Sequence, residues 1–81
     1  MFVLLNIYIE KDEKEFIPLL VYNDSFENFE DAKTEMDKQV QDALTNHYYD
    51  EDLENNITYS DKETRINAEI EYDWWRIIEV W

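Results

Sequence analysis

The sequence predicts a two-layer α+β domain, an antiparallel sheet of four or five strands with one helix packed on one face. Three observations carry that expectation. Apolar residues alternate over 2–10 and again over 64–72, the period of a strand. The stretch from about 28 to 45 repeats its apolar residues every three to four positions, the period of a helix. The third is the content of apolar residues, 44% hydrophobic and 16% aromatic in a chain of 81 residues. A net charge of −14 with mean hydropathy −0.71 is otherwise the signature of disorder. Acidic disordered tails are poor in aromatics, so this chain is expected to fold, as a single domain over 1–81.

The elements follow in order. In residues 2–10, Val3, Leu5, Ile7 and Ile9 share one face, and Phe2, Leu4, Asn6, Tyr8 and Glu10 the other. The second face is half apolar, which suits a central strand or one with a partly covered outer face. Lys11-Asp12-Glu13-Lys14 is a polar turn, and residues 15–22 form a second strand, closing a hairpin. Pro18 cannot donate to a ladder, so this strand lies at an edge or carries a bulge. Asn23-Asp24-Ser25 breaks the pattern. Asn28, with Asp31 three residues on, is a candidate helix N-cap. Phe29, Ala32, Met36, Val40, Ala43, Leu44 and His47 then form one stripe, with Glu27, Asp31, Glu35, Lys38 and Asp42 opposite.

Residues 48–56 form an acidic loop, 57–60 a short strand and 61–63 a turn. Residues 64–72 are read as one strand, with Ile66, Ala68, Ile70 and Tyr72 inward and Arg65, Asn67, Glu69, Glu71 and Asp73 outward. Residues 74–81 form a last strand. The order is β-β-α-β-β-β. Tight hairpins favour glycine at positive φ, and the chain has no Gly. Asn23, Asn55 and Asn56 are the expected left-handed positions.

Composition excludes many functions. Without Cys there is no disulfide framework, Cys-ligated zinc or thiol nucleophile, and a single His excludes a multi-histidine metal site. Without Gly there is no phosphate-cradling loop. No cofactor is expected. Residues 1–6 lack the basic start of a signal peptide, and no apolar run approaches the ~20 residues of a membrane span. An acidic surface is repelled by anionic lipid and by nucleic acid, so neither membrane nor direct nucleic-acid binding is expected. A cytoplasmic location in a bacterial host is expected.

Four constellations stand out. Glu69, Glu71 and Asp73, at alternate positions of one strand, would form a row of charges spaced about 6.6–6.8 Å apart. An ordinary solvated strand face has the same pattern, but 21 acidic residues exceed what solubility asks of a small domain. On the helix, Glu27, Asp31 and Glu35 repeat at i, i+4, a repulsive spacing, and Asp42 continues the face. The run Asp50, Glu51, Asp52 and Glu54 is an acidic loop suited to a basic partner. Its oxygens only loosely follow a calcium loop, with the sixth-position glycine and final Glu missing. Trp74 and Trp75, adjacent on a strand, point to opposite faces. Trp75 is taken as an interface anchor, and a helix-free face bearing Trp and Tyr could pair two copies. His47, on the apolar stripe, is read as structural. Nothing in the spacing of Ser25, Ser60 and the acids suggests a catalytic triad, and no enzymatic activity is expected.

In its size, its acidity, its lack of Cys and its rows Glu69-Glu71-Asp73 and Asp50-Glu51-Asp52, the chain resembles the small acidic phage-encoded anti-defence proteins, the DNA-mimic anti-CRISPRs and anti-restriction proteins. The resemblance implies an inhibitor of a nuclease, most specifically a Cas effector with an Arg/Lys-rich guide–target channel. Two alternatives stand beside it: an immunity protein or antitoxin for a basic nuclease toxin, and a non-enzymatic structural phage protein forming a homodimer. The last expects acids spread evenly over the surface.

Overall fold

A computed structural model describes residues 1–11, 18–49, 53 and 55–80. The expected class and element order hold. Strands β1 (Phe2–Glu10) and β2 (Leu19–Phe26) precede helix α1 (Phe29–Asn46), and β3 (Ile57–Tyr59), β4 (Glu63–Asn67) and β5 (Glu71–Glu79) follow. All neighbouring strands are antiparallel, in the order β2-β1-β5-β4-β3.

β1 is an inner strand, paired over its length with β5 from Phe2↔Glu79 to Glu10↔Glu71. α1 covers the mixed face of β1. Leu4 and Asn6 are buried beneath it, with Trp75 and Ile77 of β5, Ile66 of β4 and Ala32, Met36 and Val40 of α1. The aliphatic set Val3, Leu5, Ile7 and Ile9 therefore faces away from the helix. Strand alternation fixes this once Leu4 is inside.

β2 is an edge strand and carries a bulge, since the register shifts between Asn6↔Tyr22 and Ile7↔Leu20. It is described from Leu19, the expected residues 15–17 lying outside the described residues, and runs through Asn23-Asp24-Ser25 to Phe26, past the expected end at 22. The correction has a tertiary cause. β1 extends to Phe2 and offers ladder partners to all three residues (Leu5↔Asn23, Leu4↔Asp24, Val3↔Ser25), and exposed polar side chains are no burden at a sheet edge.

α1 begins where the cap was expected. The Asn28 side chain accepts from the Asp31 backbone N–H at 2.9 Å, and its Nδ2 donates to Asp31 Oδ2 at 3.1 Å. The described residues contain no positive φ, so the expected left-handed Asn23, Asn55 and Asn56 are corrected. Asn23 lies in a strand, and Asn55 and Asn56 turn without leaving negative φ.

The supposed strand 64–72 is two strands. The chain leaves β4 after Asn67, bends at Glu69 and Ile70, and enters β5 at Glu71. Lys11 closes this turn, donating from its backbone to the Ile70 carbonyl (2.8 Å) and from Nζ to the Ala68 carbonyl (2.7 Å). Ile70 is accordingly exposed and not inward, and 71–73 belong to the same strand as 74–79. Among the described residues no helix is long and apolar enough to cross a membrane.

Candidate functional site

The strand row does not exist as a surface. Glu69 lies exposed in the β4–β5 turn, whereas Glu71 and Asp73 sit on β5 and point toward the helix side. Asp73 is buried. Its Oδ1 accepts from Asn6 Nδ2 at 3.1 Å, and its Oδ2 accepts from the Tyr48 hydroxyl. Asn6 Nδ2 also reaches the Trp74 carbonyl at 3.3 Å. Glu71 Oε1 accepts from the Tyr8 hydroxyl at 2.8 Å, and His47 Nε2 stands 2.9 Å from Glu71 Oε2. A buried carboxylate demands such donors, because an unpaired one is costly in a low-dielectric interior.

These partners leave their mark on the tyrosines. Burial first, then the hydrogen bond to Asp73 and the charges of Asp73 and Glu71, push the Tyr48 hydroxyl far above its usual range. Burial and the hydrogen bond to Glu71 do the same to Tyr8. Both tyrosines remain neutral donors at any ordinary pH. Both oxygens of Asp73 and both of Glu71 are engaged, so this network cross-links α1's end, β1 and β5. It was not foreseen from the sequence. The one available signal was Asn6, a polar residue in the middle of an apolar alternation.

The helix acids are a surface. Glu30, Asp31, Asp37 and Asp42 are exposed, and Glu27 lies exposed just before the N-cap. Asp31, Glu35 and Asp42 share one side of α1 by helical spacing, and on that side Glu35 stands near Tyr22 of β2, with Asp24 and Gln39. Burial, followed by the charges of Asp24 and Glu35, raises the Tyr22 hydroxyl too. Glu35 is half-buried and accepts from Gln39 Nε2 at 3.3 Å. The cation that meets a helix acid is Lys33, 2.8 Å from Asp37. The last turn of α1 holds no basic residue. Asp50, Glu51, Asp52 and Glu54 lie outside the described residues, and with them most of the loose calcium pattern. Among the described residues no group of three or more His, Asp or Glu side chains is arranged to hold a metal.

Trp75 is corrected from anchor to core. It is buried on the helix side, and its Nε1 donates to Gln39 Oε1 at 3.2 Å. Its neighbour Trp74 occupies the helix-free face. There the Arg65 guanidinium lies 5.2 Å and that of Arg76 5.9 Å from the ring centroid. Glu63 ties the group together, accepting from Arg65 Nε at 2.8 Å, Arg76 Nη1 at 2.9 Å and Trp74 Nε1 at 3.3 Å. Desolvation pushes the Glu63 carboxyl up. The hydrogen bonds from Arg65 and Trp74 and the charges of both arginines outweigh it and hold the group below the usual range. His47 caps the helix C-terminus, its backbone N–H donating to the Ala43 carbonyl at 2.9 Å, and is exposed. No protein-family model, curated protein or solved structure matches the chain.

Proposed function

We propose that the chain is a small acidic inhibitor protein whose α1 layer docks on the cationic nucleic-acid-binding surface of a nuclease, a Cas effector being the favoured target. The observation that carries this reading is the segregation of charge. Glu27, Glu30, Asp31, Asp37 and Asp42 are exposed along α1 with Asp24 of β2 beside them, the densest run of exposed acids among the described residues; Glu10, Asp61, Glu69 and Glu79 are exposed singly elsewhere, and on the opposite sheet face Glu63 is bound by two arginines.

Magnitudes refine the idea. Even the full −14, spread along the longest extent of 37 Å, is roughly one charge per 2.6 Å, sparser than the ~1.7 Å of duplex DNA. Charge then supplies steering and competition, and close contacts along Asp31, Glu35 and Asp42 set the residence time. The site moves from the strand to the helix, so Glu69 and Glu71 are no longer the residues to reverse. Such an inhibitor acts in the cytoplasm of a bacterial host, where these nucleases work.

The test is cleavage of a duplex target by a panel of purified RNA-guided nucleases with increasing protein. The expected result is inhibition of at least one, relieved by Glu35→Lys with Asp42→Lys while the circular dichroism spectrum is kept. Inhibition indifferent to those reversals, or none across the panel, counts against the proposal.

A further inference from the structure

The helix-free face of the sheet is apolar. Val3, Leu5, Ile7 and Ile9 run along β1, with Ile78 and Trp74 directly opposite Val3 and Ile7 on β5. Leu20 of β2 stands opposite Ile7 and is 54% exposed. Arg76 of β5, paired with Glu63, interrupts this apolar stretch opposite Leu5, and polar groups lie around it: Asn23 and Ser25 on β2, and Glu63, Arg65 and Asn67 on β4. An apolar stretch with a polar rim and a tryptophan pinned by two guanidinium groups has the anatomy of an interface.

We propose that this face is the dimer interface of the protein, two copies packing sheet to sheet as a β-sandwich with the helices outermost. Two arguments select a second copy as the occupant. The first is charge. Two chains of −14 repel, and this face is where they can approach most closely, since its acid Glu63 is already neutralised by Arg65 and Arg76. With sheets about 10 Å apart and a helix of about 10 Å on each outer side, the helix axes lie roughly 30 Å from each other. That is several Debye lengths at physiological salt (about 8 Å), so the acidic layers are screened from one another. The second is area. Strands of 9, 8, 3, 5 and 9 residues, at about 3.3 Å per residue and about 4.8 Å spacing, give a face of roughly 550 Å². A standard interface buries about 800 Å² per partner, so this face suits a weak, concentration-dependent dimer. Sheets stacked face to face in a sandwich pack at about −30°. The dimer does not depend on what α1 binds, but it would display two acidic helices on opposite sides.

The experiment is sedimentation equilibrium of the full chain at 10–200 μM in 0.15 M NaCl, with hydrogen exchange at both ends of that range. The expected mass is that of two chains at the upper end. Leu20→Glu, at an already exposed position, and Ile7→Glu should each weaken the dimer at least tenfold. Thermal melting shows whether each remains folded, and should Ile7→Glu unfold, Leu20→Glu decides alone. A single-chain mass at 200 μM overturns the proposal, as does a dimer that the folded Leu20→Glu variant leaves intact. Dimer-dependent protection of the β2 backbone amides would place the contact at the sheet edge and overturn it equally.

Discussion

Replacing Tyr48 by Phe removes one hydroxyl and almost no volume, so it isolates the hydrogen bond to the buried Asp73. Tyr48 is 2% and Asp73 6% exposed, and water cannot readily replace the lost donor. Hydrogen bonds to charged groups contribute about 1.5–3 kcal/mol, and the vacated carboxylate oxygen is left facing a phenyl ring. A chain of this length has a total stability of roughly 4–12 kcal/mol, so the loss is a large fraction of the whole. At about 4–8 °C per kcal/mol for a small domain, the melting temperature should fall by roughly 6–24 °C. Urea unfolding at pH 7 measures the free energy directly. The double variant Tyr48→Phe with Asp73→Ala should cost less than the two single changes together, because the second no longer breaks the bond. A loss under about 0.5 kcal/mol for Tyr48→Phe, or strict additivity, refutes the view that this pair anchors α1's end to the sheet.

The same network sets alkaline behaviour: Tyr8 and Tyr48 titrate above their ordinary value of 10 in the folded state, so their contribution is complete below pH 10 and lost as pH rises beyond it. Tyr22 is raised too and adds to the roughly 2.7 kcal/mol per pH unit of these two protons, and Tyr48→Phe should lower the slope by about 1.4 kcal/mol per pH unit in denaturant titrations between pH 10 and 11.5. Asn28→Ala removes the N-cap and should cost about 1 kcal/mol, seen as a lower melting temperature. Thr64, fully buried, has a hydroxyl with no hydrogen-bond partner among the described residues. Thr64→Val should therefore stabilise the fold by up to about 1 kcal/mol in urea melts, and a loss of that size would show an unseen partner.

Much of the architecture was legible because it rests on period and on local chemistry. The stripe from Phe29 to Leu44 and the Asn28 cap are local signals, and both elements appear where expected. The strand ends were not legible, because they are set by partners. Asn23-Asp24-Ser25 reads as a break but is paired by Val3, Leu4 and Leu5. Ala68-Glu69-Ile70 reads as strand because its alternation is unbroken and it holds no Gly, Pro or Asn. Only Lys11, distant in sequence, reveals the turn. That single misplacement turned Glu71 and Asp73 from a surface row into acceptors on the helix side, Glu71 half-buried and Asp73 buried. The opposed orientation of Trp74 and Trp75 was legible, but which of them lies inside depends on the face that α1 covers.

The central claim is that the acidic helix layer competes with nucleic acid for a cationic surface. The most direct measurement is capture of partners from bacterial lysate on the immobilised protein, followed by elution with duplex DNA or with salt raised from 50 to 200 mM. Both treatments should release a DNA- or RNA-binding nuclease, and the Glu35→Lys/Asp42→Lys variant should capture none. Partners that withstand both DNA and salt, or that bind the variant equally well, would contradict it.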